Sequence, residues 1–284
     1  MKKSTIQVTK EELEILEKEF SEYVIPLEKD TVKFQVVISN TRIIAFLDGT
    51  LEISGTADEI IINYTNNVLY NVDFPAIGVN ISGKKDFFGP ITLATAIVGP
   101  KEFALLNKLN LAKGTEVTDF LAMKYGKYLS THIKHTVTII DPKKYNNYRK
   151  QSYSRGKVLT HYTNLVCKSI AKGSKYPFLI EGFMEPKFFY AQVTRLKSFS
   201  NDMAFFTPAN NYHVACVVAN IISRYYYLIT MEKYNKLSGE FLIKGFNENA
   251  FNQYKKLIHE SYFWDIAKID PVLKAKRKKE EKAQ

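Results

Sequence analysis

The sequence has no apolar run that approaches 18 residues. A membrane-spanning helix needs about 20 predominantly apolar residues, so no membrane partner is expected. The first stretch, MKKSTIQVTKEELEILEKEF, also lacks the apolar segment of a secretory signal. The expected location is therefore the cytoplasm.

Cysteine is scarce as well. Cys167 and Cys216 are the two cysteines of the chain, and both stand in apolar stretches with helical patterns. Their separation does not match the short ligand spacings of zinc sites. We expect both to be small core residues in a reducing compartment.

Charge is present in excess and is unevenly distributed. The formal net charge is +11, yet residues 1–75 carry 7 Lys and Arg against 13 Asp and Glu, a net of −6. The remaining residues carry 33 against 16, a net of +17. Such asymmetry indicates two modules with different partners, and the basic module is suited to a phosphate backbone. The alternative is a basic protein with no polyanionic ligand.

The N-terminal pattern predicts a small α+β module over residues 1–68. Thr9 and Glu12 have the spacing of a capping box before an amphipathic helix. Asp48 and Gly49 form a hairpin signal. Four runs have the composition of strands: TVKFQVVIS, TRIIAFLDG, TLEISG and EIIINYT. The stretch NNVLYNVDFPA, which ends near Pro75, predicts a linker over 69–75.

Residues 76–270 alternate strand-like and helix-like patterns, which favours an α/β fold with helices on both faces of a sheet. The stretch YHVACVVANIISRYYYLITMEKYNKL predicts a long helix, capped by Asn210 or Asn211. The final stretch, 271–284, predicts a basic charged tail.

The stretch IGVNISGKKDFFGP, from Ile77 to Pro90, has the form of an active-site strand and turn. Phosphoryl-transfer chemistry would require carboxylates where such a strand meets its turn, because metal ions need them there. Asn80 and Ile81 occupy those places. Either the metal ligands have been replaced or the strand never carried them.

These residues resemble the ribonuclease HIII branch of the type-2 ribonucleases H, which cut the RNA strand of RNA/DNA hybrids. The resemblance covers nearly the whole chain, and the order of the matching segments is preserved. The matching segments are IGVNISGKKDFFGPITLATAIV, KKYNNYRK, GKVLTH, FLIEGFMEP, TPANNYHVACVVANIISRY, FLIKGFNENAFNQYKKL, WDIAKID and, near the N-terminus, FLDGTLEISG.

The resemblance implies a ribonuclease H-like mixed sheet flanked by helices, preceded by a small TATA-binding-protein-like domain of the α+β class. It also implies a site with two Mg²⁺ or Mn²⁺ ions held by four acids. The four family positions fall on Asn80, Ile81, Glu181 and Asn210, which the resemblance predicts to converge in space. Glu181 is the one acid among them, and the charge of the site falls from about −4 to −1.

Further positions depart from the family pattern. Lys85 replaces the last glycine of the loop, and Pro208 replaces a lysine. Lys113, Gly114 and Thr115 stand where the family has Asp-Ser-Lys. Thr50 replaces the lysine of the N-terminal hairpin.

Basic and aromatic residues near the predicted cleft suggest a surface that follows phosphates and stacks on bases. The set expected to bind nucleic acid is Ser82, Gly83, Lys84, Lys85, Tyr145, Tyr148, Arg149, Lys150, Arg155 and Lys157. Lys143, Lys144 and Tyr153 belong to the same surface, and its lysines and arginines are expected in loops around the cleft. His161 is expected on a helix. Asp86, Asp73 and Glu185 are acids that could serve a displaced metal site.

Three functions remain open from the sequence. The leading one is a ribonuclease HIII homologue that recognises RNA/DNA hybrid or a related duplex and has a degenerate catalytic site. The second is an active hybrid nuclease with relocated ligands, dependent on Mg²⁺ or Mn²⁺. The third is an interaction scaffold that kept the fold and has lost nucleic-acid binding. The resemblance implies Mg²⁺ or Mn²⁺ as the cofactor, and the alternative is no cofactor. The acidic N-terminal region is expected to dock either on the protein's own basic domain or on a basic protein partner.

Overall fold

The computed structural model describes residues 2–27, 29–70, 74–171, 174–193 and 202–270. The chain forms two compact units, and each is assembled from three separate stretches. Unit 1 consists of Met1–Gly78, Ile97–Thr115 and Ala171–Val217. Unit 2 consists of Val79–Ala96, Glu116–Ile170 and Val218–Gln284.

The described residues form nine strands in two sheets. The strands are β1 Lys2–Gln7, β2 Val32–Ile38, β3 Thr41–Phe46, β4 Thr50–Gly55, β5 Ala76–Ser82, β6 Ile91–Val98, β7 His135–Ile140, β8 Phe178–Glu181 and β9 Met203–Phe206. The first sheet has the order β1-β4-β3-β2 and is antiparallel throughout. The second has the order β7-β6-β5-β8-β9 and is mixed, since β6 and β7 are antiparallel whereas β8 and β9 are parallel.

Ten α-helices are present within the described ranges. They are α1 Lys10–Glu19, α2 Asp58–Tyr70, α3 Pro100–Lys108, α4 Asp119–His132, α5 Pro142–Lys150, α6 Arg155–Ala171, α7 Pro186–Val193, α8 Val214–Ser238, α9 Glu248–Leu257 and α10 Phe263–Ile266. The predicted α/β class, with a mixed sheet, helices and a preceding small sheet, is confirmed.

Two local predictions near the N-terminus are confirmed. The Thr9 hydroxyl accepts a hydrogen bond from the Glu12 amide, and the Glu12 carboxylate accepts one from the Thr9 amide, which completes the capping box of α1. The hairpin between β3 and β4 turns at Asp48 and Gly49. Gly49 adopts a φ of 91°, a conformation that side chains other than glycine rarely allow.

The prediction of a strand at EIIINYT is wrong, because this run lies inside helix α2. Its isoleucines gave it a strand-like composition. The burial pattern is helical instead, with Ile60, Ile61 and Tyr64 turned inward and Asn63 exposed. Strand β1, before α1, was missed by the sequence analysis.

An aromatic core in unit 1 joins α1 and α2 to β9. Tyr64 is buried and its ring centroid lies 5.9 Å from that of Phe20 and 5.7 Å from that of Phe206. Tyr212 completes the cluster, with its centroid 4.9 Å from Tyr64 and 4.3 Å from Phe206. Residues almost 200 positions apart in the sequence therefore share one core.

Helix α8 is the one helix in the described chain that is long and apolar enough to cross a membrane by length and composition alone, and 61% of its most apolar window is buried inside the protein. Such burial is typical of a core helix. The predicted caps Asn210 and Asn211 are wrong, since both lie in a short 3₁₀ turn, Ala209–Asn211. The amide of Ala215 instead donates to Nδ1 of His213, at 3.0 Å.

Cys167 and Cys216 are free, buried thiols, which confirms their assignment to the core. Burial raises the pKa of the Cys167 thiol well above its ordinary value, so the thiol stays protonated at neutral pH. The predicted boundaries at 69–75 stay a prediction, since residues 71–73 lie outside the described ranges. The predicted tail, 271–284, also lies outside them.

Candidate functional site

The first two family positions lie at the end of β5 in unit 2. Asn80 and Ile81 are both buried, with exposed fractions of 4% and 5%. The Asn80 Oδ1 accepts a hydrogen bond from Ser223 Oγ on α8 at 3.3 Å. Ser223 Oγ also lies 2.9 Å from Ser82 Oγ. Asn80 therefore participates in a buried network that links the strand to the helix.

The loop that follows β5 is shaped by Gly83. Its φ is +73°, and a Cβ at this position would lie 2.4 Å from the carbonyl oxygen of Pro90 and 2.7 Å from the Tyr227 ring. No other residue type fits without a shift of the backbone. Lys85 is exposed in the loop, and Lys84 is half-buried.

The other two family positions lie together in unit 1. Glu181 ends β8, and its Oε2 accepts a hydrogen bond from the amide of Ala209 at 2.8 Å. Ala209 begins the 3₁₀ turn that carries Asn210, so the carboxylate holds the turn at its start. The Asn210 side-chain oxygen Oδ1 is buried with no hydrogen-bond partner among the described residues. Convergence of all four family positions stays a prediction.

The side chains at these positions do not fit a pair of hard divalent cations. Within the described ranges, no group of three or more His, Cys, Asp and Glu side chains is arranged to hold a metal ion. The Ile81 side chain has no donor atom, and Asn80 offers one neutral oxygen that is already engaged by Ser223. Glu181 is the one acid available at the four positions.

The acids considered for a displaced site have other partners. The carboxylate of Asp86 accepts a hydrogen bond from the Tyr227 hydroxyl. Glu185 is exposed and forms an ion pair with Lys187 at 2.7 Å. Asp73 lies outside the described residues.

Three of the predicted nucleic-acid contacts instead surround one acid, Asp270. The Tyr145 hydroxyl donates to Asp270 Oδ2 at 2.7 Å, and Arg149 Nε lies 3.0 Å from Oδ1. Arg155 lies 3.5 Å from Oδ2. Tyr145 is fully buried, so its predicted role in base stacking is wrong. The Arg149 side chain is only 13% exposed, so its contact with Asp270 is a largely enclosed ion pair.

The lysines between residues 143 and 157 lie on helices, whereas loops were predicted for them. Lys143, Lys144 and Lys150 are exposed on α5, and Lys157 is exposed in the first turn of α6. Lys157 Nζ stands 4.2 Å from the centroid of the Tyr153 ring, in the geometry of a cation–π contact.

Tyr148 is half-buried among aromatic neighbours. Its ring centroid lies 5.4 Å from Tyr153, 6.0 Å from His161 and 5.9 Å from Tyr162. Burial, together with the positive charge of Lys144, lowers the pKa of His161 below its ordinary value. The imidazole is therefore neutral at pH 7, and its contribution to this surface is a flat aromatic ring without charge.

Several structural residues of the site were missed from the sequence. Ser223 binds Asn80, Tyr227 binds Asp86, and Asp270 binds two arginines and a tyrosine. Each pair is separated by more than 100 positions in the sequence, and no local pattern marks such partners. Asp270 had one sequence signal, because it is an acid that directly precedes a strongly basic stretch, residues 271–284.

Comparison with known proteins identifies the family of the chain. The sequence profile described as Ribonuclease HII matches residues 77–264, which is more than half of the chain. The chain belongs to the ribonuclease HII family. Its similar relatives are of the ribonuclease HIII type within that family. The profile match includes Asn80, Ile81, Glu181 and Asn210.

Curated relatives named Ribonuclease HIII are similar over most of the chain. The protein of Bacillus velezensis is 27% identical over 186 residues, which cover 64% of this chain and 59% of the relative. The protein of Bacillus pumilus is 29% identical, with 64% and 61% covered. The protein of Staphylococcus saprophyticus is 27% identical over 221 residues, with 75% and 70% covered. The match thus spans about three fifths of the first two relatives.

Solved ribonuclease HIII structures share the fold. The structure of Bst-RNase HIII in complex with Mn²⁺ superposes with a TM-score of 0.64 at 19% identity, with 94% of this chain and 95% of that chain covered. Aquifex aeolicus RNase H3 superposes with a TM-score of 0.57 at 18% identity, with 94% and 99% covered. The predicted family and the ribonuclease H-like fold are therefore confirmed.

Proposed function

We propose that this protein binds RNA/DNA hybrid, or a related A-form duplex, and has lost most or all metal-dependent cleavage. The family supports this ligand, because the resemblance to ribonuclease HIII implies recognition of RNA/DNA hybrids and relatives with that name match the chain. The exposed lysines on α5, on α6 and in the loop after β5 support recognition through the phosphate backbone. The proposed location is the cytoplasm.

The observation that carries the loss of cleavage is the buried pair Asn80 and Ile81. In the family, two divalent cations would activate a water molecule and stabilise the leaving oxygen. Two such ions about 4 Å apart repel each other by roughly 17 kcal/mol at an effective dielectric constant of 20. Several carboxylates are needed to offset that repulsion. An amide held by Ser223 and an aliphatic side chain cannot do so.

Backbone recognition suits the residues that remain. An A-form duplex presents phosphates and 2′-hydroxyls along a wide minor groove, and proteins read its shape more than its bases. Lys85, Lys144, Lys150 and Lys157 are exposed and can each neutralise a phosphate. The roles that we propose for Arg149 and Arg155 are structural, through Asp270.

The wild-type protein should show little or no cleavage of an RNA/DNA hybrid with Mg²⁺ or Mn²⁺. The measurement is a gel assay of a labelled hybrid over a range of metal concentrations, with a ribonuclease HIII that has all four acids as the positive control. The matched variant is Glu181→Gln, which removes the one acid at the family positions. Rapid, metal-dependent turnover that Glu181→Gln abolishes would contradict the degenerate site and favour relocated ligands.

Hybrid affinity should fall steeply with salt, and the variant Lys85→Ala, Lys150→Ala, Lys157→Ala should flatten that dependence. Each phosphate contact contributes about −0.9 to the slope of log K against log salt on a B-form duplex. The triple variant should therefore reduce the magnitude of the slope by up to about 2.7. Fluorescence anisotropy at several salt concentrations measures it.

The matched control is the variant Lys101→Ala, Lys108→Ala, Lys127→Ala, which removes three positive charges from exposed lysines elsewhere on the protein. This control should leave the slope nearly unchanged. Equal salt slopes for the wild type and the variant Lys85→Ala, Lys150→Ala, Lys157→Ala would place the interface elsewhere. A wild type that does not bind duplex at all would favour the interaction scaffold.

The acidic N-terminal region is proposed to repel phosphate and to contact a basic protein partner instead. Glu11, Glu14 and Glu22 are exposed there, and Thr50 replaces the lysine that the family presents at the hairpin. Like charges repel within roughly 8–10 Å at ordinary salt. Substitution of these three acids by glutamine should leave hybrid affinity unchanged or raise it.

A further inference from the structure

The loop after β5 is held in place by a segment near the other end of the chain. We call residues 83–86 the binding loop and residues 266–269 the C-terminal strap. The backbone of the strap pairs with the residues just after the loop. The Lys268 amide donates to the Phe87 carbonyl at 2.9 Å, and the Gly89 amide donates to the Ile266 carbonyl at 2.8 Å.

The side chain of Lys268 adds two further bonds to this pairing. Its Nζ donates to the carbonyl oxygen of Asp86 at 2.9 Å and to that of Phe88 at 3.0 Å. Lys268 is only 2% exposed, so its ammonium group is enclosed by the protein. Phe87 and Phe88, which follow the loop, share one buried hydrophobic cluster with Ile266 and Ala267 of the strap.

Burial of an ammonium group is costly unless hydrogen bonds compensate for the lost water. Desolvation lowers the pKa of Lys268 to about 8, while the nearby carboxylates of Asp86 and Asp270 act against this shift. The charged form, with three donors, is therefore the main form at pH 7. An apolar side chain would fill the same space without the free-energy cost of burying a charge. The hydrogen bonds from the Lys268 ammonium therefore indicate a role beyond filling space.

The carbonyls that Lys268 binds belong to Asp86, the last residue of the binding loop, and to Phe88 just beyond it. Asp86 is fixed a second time, because its carboxylate accepts a hydrogen bond from the Tyr227 hydroxyl. With Gly83 packed against Tyr227 and Pro90, both ends of the loop are fixed, and Lys84 and Lys85 lie between the two fixed ends.

We propose that Lys268 is a positioning residue for nucleic-acid binding, which sets the backbone of the binding loop so that Lys84 and Lys85 meet phosphates. Lys268 is enclosed and does not itself touch the ligand. The inference rests on the proposed function, since it takes the loop to be part of the hybrid interface. It extends that function to a residue more than 180 positions from the loop in the sequence.

The test is a double-mutant cycle on the full chain. Lys268→Met removes the donors while it keeps an unbranched side chain of similar length. We expect it to weaken binding of a labelled RNA/DNA hybrid by about tenfold at 0.15 M salt and to flatten the salt slope. In a Lys84→Ala, Lys85→Ala background, Lys268→Met should weaken binding less than twofold, because the contacts that it positions are already gone.

A control separates positioning from general stability. Tyr254→Phe removes the hydrogen bond from the Tyr254 hydroxyl to the Lys268 carbonyl, at 3.0 Å, and leaves the lysine donors in place. It should change the melting temperature but not the salt slope. Lys268→Arg keeps donors and should retain part of the affinity. Should Lys268→Met fail to fold, Lys268→Gln, with one amide donor group, takes its place in the cycle.

The outcomes are distinct. An equal loss of affinity from Lys268→Met in both backgrounds would overturn the proposal and assign the residue to general stability. A Lys84→Ala, Lys85→Ala variant that binds hybrid with unchanged affinity and slope would show that the loop is not in the interface, which overturns the premise. Loss of affinity in the wild-type background alone supports the proposal.

Discussion

Replacement of Ile81 by glutamate should lower the free energy of unfolding by about 3–5 kcal/mol at pH 7. Ile81 is 5% exposed at the end of a buried strand, and its neighbour Asn80 is engaged by Ser223. A carboxylate at this position would be removed from water with no cation to compensate for it. Urea denaturation followed by circular dichroism measures the loss.

Two controls separate the charge from the change of shape. Ile81→Met keeps an apolar side chain of similar volume and should cost less than about 1.5 kcal/mol. Ile81→Gln has the shape of glutamate without its charge and should fall between the two. Burial raises the pKa of the introduced carboxyl in the folded state, so the cost of the charge should shrink as the pH falls from that raised pKa towards about 4.3, and it should be absent at lower pH.

A combined variant that includes Ile81→Glu reports on metal binding. In the combination Asn80→Asp, Ile81→Glu, Asn210→Asp, added Mn²⁺ should raise the melting temperature if the new carboxylates form a metal site, since a ligand that binds only the folded state stabilises it. Ile81→Glu alone should show a much smaller rise in melting temperature.

A loss of less than about 1 kcal/mol in the free energy of unfolding of Ile81→Glu would mean that water reaches this position freely. It would contradict the buried site.

Replacement of Asp270 by asparagine should lower the free energy of unfolding by about 2–4 kcal/mol. The carboxylate is 13% exposed and neutralises Arg149 and Arg155, and it accepts a hydrogen bond from Tyr145. Removal of the acid leaves a largely enclosed guanidinium without its counter-charge. Asparagine keeps the size of the side chain, so the loss reports the charge.

A surface ion pair supplies the comparison. Asp265 lies 3.8 Å from Lys143, and both side chains are more than half exposed. Asp265→Asn should cost less than about 1 kcal/mol, since exposed pairs contribute little. Equal losses for the two variants would show that the arginines are solvated and free to reach phosphates, which would return Arg149 to the nucleic-acid interface.

The sequence predicted elements well where the pattern is local. The capping box of α1, the turn at Asp48 and Gly49 and the buried face of α8 all depend on neighbours within a few positions. Helix α2 was missed because three consecutive isoleucines favour strands on average. Its place in the core, against Phe20 and Phe206, overrides that preference.

The sequence could name candidate positions for the site, which stay a prediction, but it could not name their partners. The family pattern located Asn80, Ile81, Glu181 and Asn210, and the profile match covers all four. Charge in the sequence could not distinguish a lysine exposed to solvent from an arginine that forms an ion pair with an acid. Arg149 and Lys150 are adjacent in the sequence, yet Arg149 is paired with Asp270 whereas Lys150 is exposed. That distinction requires the three-dimensional partner.

The aromatic core of unit 1 has a consequence for synthesis of the chain on the ribosome. Phe20 and Tyr64 emerge early, but Phe206 and Tyr212, which cover them, are more than 140 residues further along. At a synthesis rate of about 5–20 residues per second, Phe206 and Tyr212 are added on the order of ten seconds after strands β1 to β4. During that interval the apolar face of this sheet is open to chaperones and to other nascent chains, so slow translation between residues 78 and 217 should lower the yield of folded protein.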